Sequence, residues 1–226
     1  MKKYKGIIFD FNGVLLLDQH LHDEIWSDIA KKLIGRELTE SEFKHNLHGR
    51  TNRSAVEYLR GGEASDADVD AVMLEKEHAY QALARRQGDA YHLNDGAIEL
   101  FENLKKQTIP FTIGTSSPAM NIPFFDELLG LHTWFDLEKI VCDDGTLKGK
   151  PAPDIYLKAA AALGFNPKDC VVVEDARSGI AAALHAGIGY IIAIGPKTEH
   201  AALAAVRGVS EVIETLREVN VERLFR

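Results

Sequence analysis

A short apolar run that ends in an acid constrains the fold of this chain more than any other feature. Ile7, Ile8 and Phe9 lead directly into Asp10, and Gly13 follows three positions later. An uninterrupted apolar run of this length is typical of a central strand in a parallel sheet, because both faces of such a strand are buried. Asp10 is then expected at the carboxyl end of the strand, where open α/β sheets bind their ligands. Gly13 allows the chain to turn away sharply.

Further short apolar runs, separated by helical patterns, follow at residues 109–114, 139–142, 170–173 and 189–194. This alternation predicts an α/β fold with a doubly wound, mostly parallel sheet. The tail, residues 198–226, is predicted to be largely helical.

The strand pattern stops between about residues 15 and 92, where apolar residues recur at helical spacing. Thr39 and Thr51 are predicted to cap helices in this stretch, the last helix is predicted to open at Ser65, and His78 is placed on its buried side. We interpret the stretch as a helical cap that excludes water and selects substrates. The predicted division is a Rossmann-like core at 1–16 and 93–226 and a cap at 17–92, called the cap segment below.

Charge and composition exclude several partners. The 226 residues carry a formal charge of −8, which argues against a nucleic acid bound through a basic surface. No apolar run approaches the roughly 20 residues that cross a bilayer, so no membrane partner is predicted. The first residues have no signal-peptide pattern, which predicts a cytoplasmic protein. Monomer and homodimer both remain open.

Acidic and basic side chains follow the predicted strands. Glu174 and Asp175 end a buried strand as Asp10 does, and adjacent buried acids are costly unless a positive group binds them. A hard divalent cation such as Mg²⁺ is the natural occupant. Lys150, between Gly149 and the prolines that precede the next helix, is predicted to supply a fixed positive charge near a phosphoryl group.

Two further stretches have an anion-binding character. Thr115 and Ser116 end a predicted strand before a helix expected from Pro118, and hydroxyls with free N–H groups there can bind an anion. In the cap segment, a loop at residues 49–53 carries Arg50 and Arg53, which are suited to phosphate or carboxylate. His22 lies early enough in the first cap helix to face the cleft.

The order of these motifs resembles the haloacid dehalogenase superfamily, in particular the subgroup with a helical cap that holds β-phosphoglucomutase and many small phosphatases. The similar parts are residues 8–14, 114–116, 149–154 and 173–176, with a helical insert after the first. The resemblance covers nearly the whole chain. It implies a hydrolase that acts on a small phosphorylated substrate with Mg²⁺ as cofactor.

The resemblance also implies roles for individual residues. Asp10 would be the nucleophile and a metal ligand, and Lys150 would bridge it to the phosphoryl group. Thr115 and the Ser116 N–H would hold the phosphoryl oxygens. The remaining metal ligands would be Asp175, Glu174 in the outer shell and the main-chain carbonyl of Asn12. Substrate contacts in the cap would come from His22, Arg50, Asn52 and Arg53, with Asn52 where mutase-like members carry an arginine.

Asn12 is the main departure from the family pattern, because phosphatases and mutases of the family have an aspartate there as general acid and base. An amide cannot transfer that proton, and such transfers contribute about 10²–10⁴-fold to the rate. The interpretations left open are a slow phosphatase, an engineered variant, a phosphomutase-like enzyme, a phosphonatase or dehalogenase-type hydrolase, and a weakly catalytic protein that binds a phosphorylated ligand. Phosphonate cleavage would need a Schiff-base lysine, for which the candidates are Lys31, Lys32, Lys44 and Lys76.

Overall fold

The computed structural model describes residues 4–226 and is built around a six-stranded sheet in which all neighbouring strands are parallel. The strands are β1 Gly6–Phe9, β2 Phe111–Pro118, β3 Val141–Asp143, β4 Cys170–Glu174, β5 Tyr190–Ile194 and β6 Glu211–Ile213. Their order across the sheet is β3-β2-β1-β4-β5-β6. The predicted doubly wound α/β fold is confirmed.

Ten α-helices accompany the sheet in residues 4–226. They are α1 Gln19–Ile34, α2 Glu40–Glu42, α3 Asn52–Arg60, α4 Asp66–Arg86, α5 Ala97–Lys106, α6 Ile122–Leu129, α7 Asp154–Ala162, α8 Arg177–His185, α9 His200–Ala204 and α10 Val221–Phe225.

Strand β1 is buried on both faces, as its apolar run predicts. Ile7 and Phe9 belong to the core cluster that includes α5 and α6, whereas Ile8 packs in the cluster with α7 and α8. In register, Ile8 pairs with Thr112 of β2 and Val172 of β4. Asp10 therefore emerges at the carboxyl edge of the sheet between the ends of these two strands.

The cap segment contains α1 to α4, and a π-helical turn at Phe43–Leu47 continues α2. The caps predicted at Thr39 and Thr51 and the helix start predicted at Ser65 are confirmed: Thr39 forms a capping box with Glu42, and the hydroxyls of Thr51 and Ser65 accept N–H bonds in the first turns of α3 and α4. No helix within residues 4–226 has the length and apolar content to cross a membrane.

Three local predictions are wrong. His78 is exposed, and α4 buries Lys76 and Glu77 instead, because their charges are paired in the interior. The tail is not mainly helical, since β6 pairs with β5. Strand β2 runs on to Pro118 and α6 starts only at Ile122, so Thr115 and Ser116 lie in a strand rather than at a helix start.

Candidate active site

Three carboxylates converge at the carboxyl edge of the sheet. Asp10 follows β1, Glu174 is the last residue of β4, and Asp175 comes directly after it. One carboxylate oxygen of each lies within 4.8 Å of the others. Residues separated by more than 160 positions meet here because β1 and β4 are parallel neighbours with Phe9 paired to Val173.

Lys150 lies inside this acidic cluster and is 1% exposed. Its Nζ is 3.0 Å from Asp10 Oδ2 and 2.5 Å from Glu174 Oε1. Glu174 has further partners, since Oε1 accepts the Tyr156 hydroxyl at 3.0 Å and Oε2 accepts the Ala176 N–H at 2.7 Å. Glu174 thus anchors Lys150, and both of its oxygens are engaged by the protein.

The cluster holds more negative charge than Lys150 can balance. Burial raises the pKa of Asp10 to about 7 despite the opposing effect of Lys150. Burial, together with the charges of Glu174 and Asp10, also raises the pKa of Asp175 well above its usual range. Burial disfavours the Lys150 ammonium, but its two carboxylate partners outweigh this effect and raise its pKa. A bound cation would restore the ionised form of the acids.

These residues fit a divalent cation. Three carboxylates with oxygens close together match the oxygen ligands that Mg²⁺ prefers. Gly13, at φ 85°, adds a second observation, because a Cβ there would lie 2.1 Å from Asp175 Oδ2. Glycine leaves the space in which the Asp175 carboxylate sits beside the turn after Asp10.

Two of the predicted phosphate-binding residues, Thr115 and Ser116, line the same cavity as Asp10 and Asp175. Thr115 is 1% exposed, and its Oγ1 accepts the Ser117 N–H at 3.0 Å. The Ser116 hydroxyl is directed to the Gly49 carbonyl of the cap segment at 3.3 Å. Ser116 therefore contributes to the contact between cap and core.

The side chain of Asn12 is held at both ends. The Ser117 hydroxyl donates to Asn12 Oδ1 at 2.6 Å, and Asn12 Nδ2 donates to Asp18 Oδ2 at 2.7 Å. His22 stacks on Tyr80, with ring centroids 4.5 Å apart, and its Nε2 is 3.3 Å from Asp18 Oδ2. His22 thus lies beside Asn12 at the cavity, as the sequence predicted for a residue facing the cleft.

The polar residues of the cap loop at residues 49–53 lie in two places, at the cavity and at the solvent-exposed surface. Arg50 lines the cavity and donates to the Lys150 carbonyl at 2.9 Å, and Asn52 also lines it. Arg53 lies outside the cavity, where its exposed guanidinium pairs with Asp66. The cavity is about 60 Å³ in volume, room for a few water molecules, so the cap lies close against the core.

Lys76 is the one among the four candidate lysines that lines this cavity, the other three being exposed. Its Nζ is 2.9 Å from Oε1 of Glu77, a fully buried acid. Asn52 Nδ2 donates to the same oxygen, and Asn121 Nδ2 donates to Glu77 Oε2, both at 2.7 Å. Burial opposes ionisation of Glu77, but these donors and Lys76 lower its pKa overall.

Four polar residues at or beside the cavity were not predicted from the sequence: Asp18, Ser117, Tyr80 and Glu77. Apolar periodicity assigns polar residues to the surface, so it cannot find a buried acid whose partners come from other elements. For Asp18 a local signal existed, since His22 follows at the i+4 spacing that places both side chains on one helical face.

Comparison with known proteins agrees with this architecture. A family model for haloacid dehalogenase-like hydrolases matches residues 4–187. Validoxylamine A 7'-phosphate phosphatase of Streptomyces hygroscopicus subsp. limoneus is 32% identical over 96% of both chains. Beta-phosphoglucomutase of Bacillus subtilis (strain 168) is 31% identical over 84% of this chain and 83% of its own.

A solved structure extends the likeness to three dimensions. It is that of a HAD hydrolase, family IA, variant 3, from Entamoeba histolytica HM-1:IMSS, which is 43% identical over 97% of both chains with a TM-score of 0.86. The fold, the order of the motifs and the matched sequence lead to one conclusion: the chain belongs to the haloacid dehalogenase-like hydrolases.

Proposed function

We propose that this hydrolase is a Mg²⁺-dependent phosphatase that acts on a small phosphorylated metabolite through a phosphoryl group transferred to Asp10. The observation that carries the proposal is the convergence of Asp10, Glu174 and Asp175 around Lys150 at one strand edge. The names of two relatives, a validoxylamine A 7'-phosphate phosphatase and a beta-phosphoglucomutase, support phosphorylated small molecules as the substrate class.

Asp10 is proposed as the nucleophile. One carboxylate oxygen forms a bond to phosphorus while the bond between phosphorus and the leaving-group oxygen breaks. Water then attacks phosphorus, which releases inorganic phosphate and restores the Asp10 carboxylate. Lys150, 3.0 Å from Asp10, orients the nucleophile and balances charge on the phosphoryl oxygens. Thr115 and the Ser116 N–H are proposed to hold those oxygens.

Asp10, Asp175 and the Asn12 carbonyl are proposed as the direct Mg²⁺ ligands. Both Glu174 oxygens are already engaged by Lys150, Tyr156 and the Ala176 N–H, so Glu174 supports the site from outside. When bound, Mg²⁺ would offset the negative charge of nucleophile and phosphoryl group that otherwise repel each other.

Asn12 is proposed to limit the rate. Its amide cannot protonate the leaving oxygen, a transfer typically worth about 10²–10⁴-fold. Substrates whose leaving group is acidic, such as aryl phosphates, depend less on this proton. We therefore expect the enzyme to hydrolyse aryl phosphates faster than alkyl phosphates.

The test is a panel of aryl phosphates and phosphorylated sugars and polyols, assayed for phosphate release with Mg²⁺ and with EDTA. We expect Mg²⁺-dependent release, with aryl phosphates fastest, that is lost in Asp10→Asn. Release that survives Asp10→Asn, or that EDTA leaves unchanged, would contradict the proposal.

Phosphonate cleavage is the second candidate, favoured by the position of Lys76 at the cavity. The ammonium form of Lys76 makes the ion pair with Glu77, and imine formation would have to break that pair. Borohydride treatment in the presence of a carbonyl-bearing phosphonate would trap such an imine as a mass increase on the peptide that contains Lys76. An unmodified peptide would remove this candidate.

A further inference from the structure

Asn12 is bound in a way that an amide satisfies and an ionised carboxylate does not. Its Oδ1 accepts the Ser117 hydroxyl at 2.6 Å, and its Nδ2 donates to Asp18 Oδ2 at 2.7 Å. An ionised carboxylate accepts hydrogen bonds and donates none, so the group that faces Asp18 has to be a donor. Ser117 therefore offers a donor and Asp18 an acceptor, which match the two ends of an amide, and His22 Nε2 lies 3.3 Å from Asn12 Nδ2.

Asp18 is held as firmly as Asn12. It is 1% exposed, and its Oδ2 also accepts the Tyr80 hydroxyl, which lies 2.7 Å from the Tyr91 hydroxyl. Within residues 4–226, Asp18 Oδ1 has no hydrogen-bond partner.

We propose that Asp18 is a positioning residue that requires an amide at position 12. A carboxylate would fit at position 12 only if the carboxylate at position 18 were replaced by an amide. In Asn12→Asp, two carboxylates would face each other at hydrogen-bond distance in a buried place, and the one ring nitrogen of His22 that lies 3.3 Å from both positions can donate only a single N–H to the pair. The new carboxylate would be pushed out of its present position or would destabilise the fold.

The double variant, Asn12→Asp with Asp18→Asn, restores the pairing of one donor with one acceptor, because the amide is now at position 18 and the carboxylate at position 12. The amide at position 18 donates one N–H to the carboxylate at position 12 and the other to the Tyr80 hydroxyl, which in turn donates to Tyr91. The Ser117 hydroxyl still donates to position 12. The activity part of this inference rests on the proposed phosphatase function, whereas the stability part does not.

The experiment is a four-member cycle of the unchanged protein, Asn12→Asp, Asp18→Asn and the double variant. Each is measured for thermal melting and for kcat and KM on p-nitrophenyl phosphate and on an alkyl phosphate with Mg²⁺. Asn166→Asp, at an exposed position, controls for the change of amide to acid alone.

We expect Asn12→Asp to melt at least about 4 °C below the unchanged protein and the double variant within about 2 °C of it. On the alkyl phosphate, the double variant should gain about 10²-fold or more in kcat with little change in KM, and Asn12→Asp less than about 10-fold.

Two results would overturn the inference: an Asn12→Asp protein that melts like Asn166→Asp, or one whose kcat rises as much as that of the double variant. If no variant releases phosphate, the proposed function fails, and the melting temperatures still decide whether Asp18 fixes the amide.

Discussion

Buried acids in the core and in the cap segment behave in opposite ways. Asp10 at the strand edge and Asp18 and Glu77 in the cap segment are all less than 5% exposed. Burial raises the pKa of Asp10, whereas the pKa values of Asp18 and Glu77 are lowered although burial opposes this. The three acids are buried to a similar extent, so their hydrogen-bond and charge partners decide the direction of each pKa shift.

The partners differ in kind. Glu77 accepts from Lys76 and from the amides of Asn52 and Asn121, so its charge is satisfied by the protein itself. At the strand edge, three carboxylates lie close together, and the ammonium of Lys150 contacts two of them, Asp10 and Glu174. A buried acid with a full set of donors stabilises the fold, and a group of acids short of positive charge is suited to bind a cation.

The largest difference in stability between the two regions is expected when the buried lysine of each one is replaced. Lys150→Met removes the buried cation that contacts Asp10 and Glu174 and is expected to lower the free energy of unfolding by about 3–5 kcal/mol, measured by urea titration in EDTA. Lys76→Met is the matched control, with a smaller loss because Asn52 and Asn121 still donate to Glu77. Equal losses would show that the two regions do not differ in this way.

Added Mg²⁺ should stabilise the protein through the acidic cluster of the core and not through the buried acids of the cap segment. At a concentration of 100 Kd, we expect a gain of about 2.7 kcal/mol in the free energy of unfolding. Asp175→Asn should respond much less, whereas Glu77→Gln should keep the full response. A response that Asp175→Asn retains would place the ion elsewhere.

Glu77→Gln tests how much the negative charge of Glu77 contributes to the stability of the protein. We expect a loss of about 1–3 kcal/mol at neutral pH, because Lys76 is left buried without its carboxylate. The folded pKa of Glu77 is lowered, so its contribution is present above the unfolded value of about 4.3 and is lost as pH falls through the folded pKa.

Melting temperatures of both proteins from pH 3 to 8 test this dependence. The difference between them should be constant above about pH 5 and should shrink below about pH 4. A difference that grows toward low pH would contradict the sign of the shift.

The smallest effect on stability is expected at Gly35, and its comparison with Gly13 tests the metal site most specifically, because both glycines have positive φ. Gly35→Ala, at φ 70° with nothing within 4 Å of a Cβ, should lose about 1 kcal/mol from backbone strain alone. Gly13→Ala carries the same strain and also places a Cβ 2.1 Å from Asp175 Oδ2. Only Gly13→Ala should lose the stabilisation by Mg²⁺, and a full response in that variant would contradict the proposed ligand set.

Local patterns predicted those elements whose signal lies within a few residues. Helix α1 spans Gln19–Ile34 as its apolar spacing indicated, and Thr39, Thr51 and Ser65 cap helices because their hydroxyls reach N–H groups three residues on. Strand β6 was missed, since only three residues pair at the sheet edge and the pairing with β5 is invisible in the local sequence.

For the site, the sequence by itself determined which side chains follow the strands: Asp10, Lys150, Glu174 and Asp175 each sit beside an apolar run or between rigid residues, and parallel strands must end at one edge. Only the tertiary structure decided what surrounds them. That Asn12 faces Asp18, and that Lys76 and Glu77 are buried together, depends on donors and acceptors brought in from distant elements. Hydrogen-bond complementarity is a property of the folded arrangement, and no local periodicity encodes it.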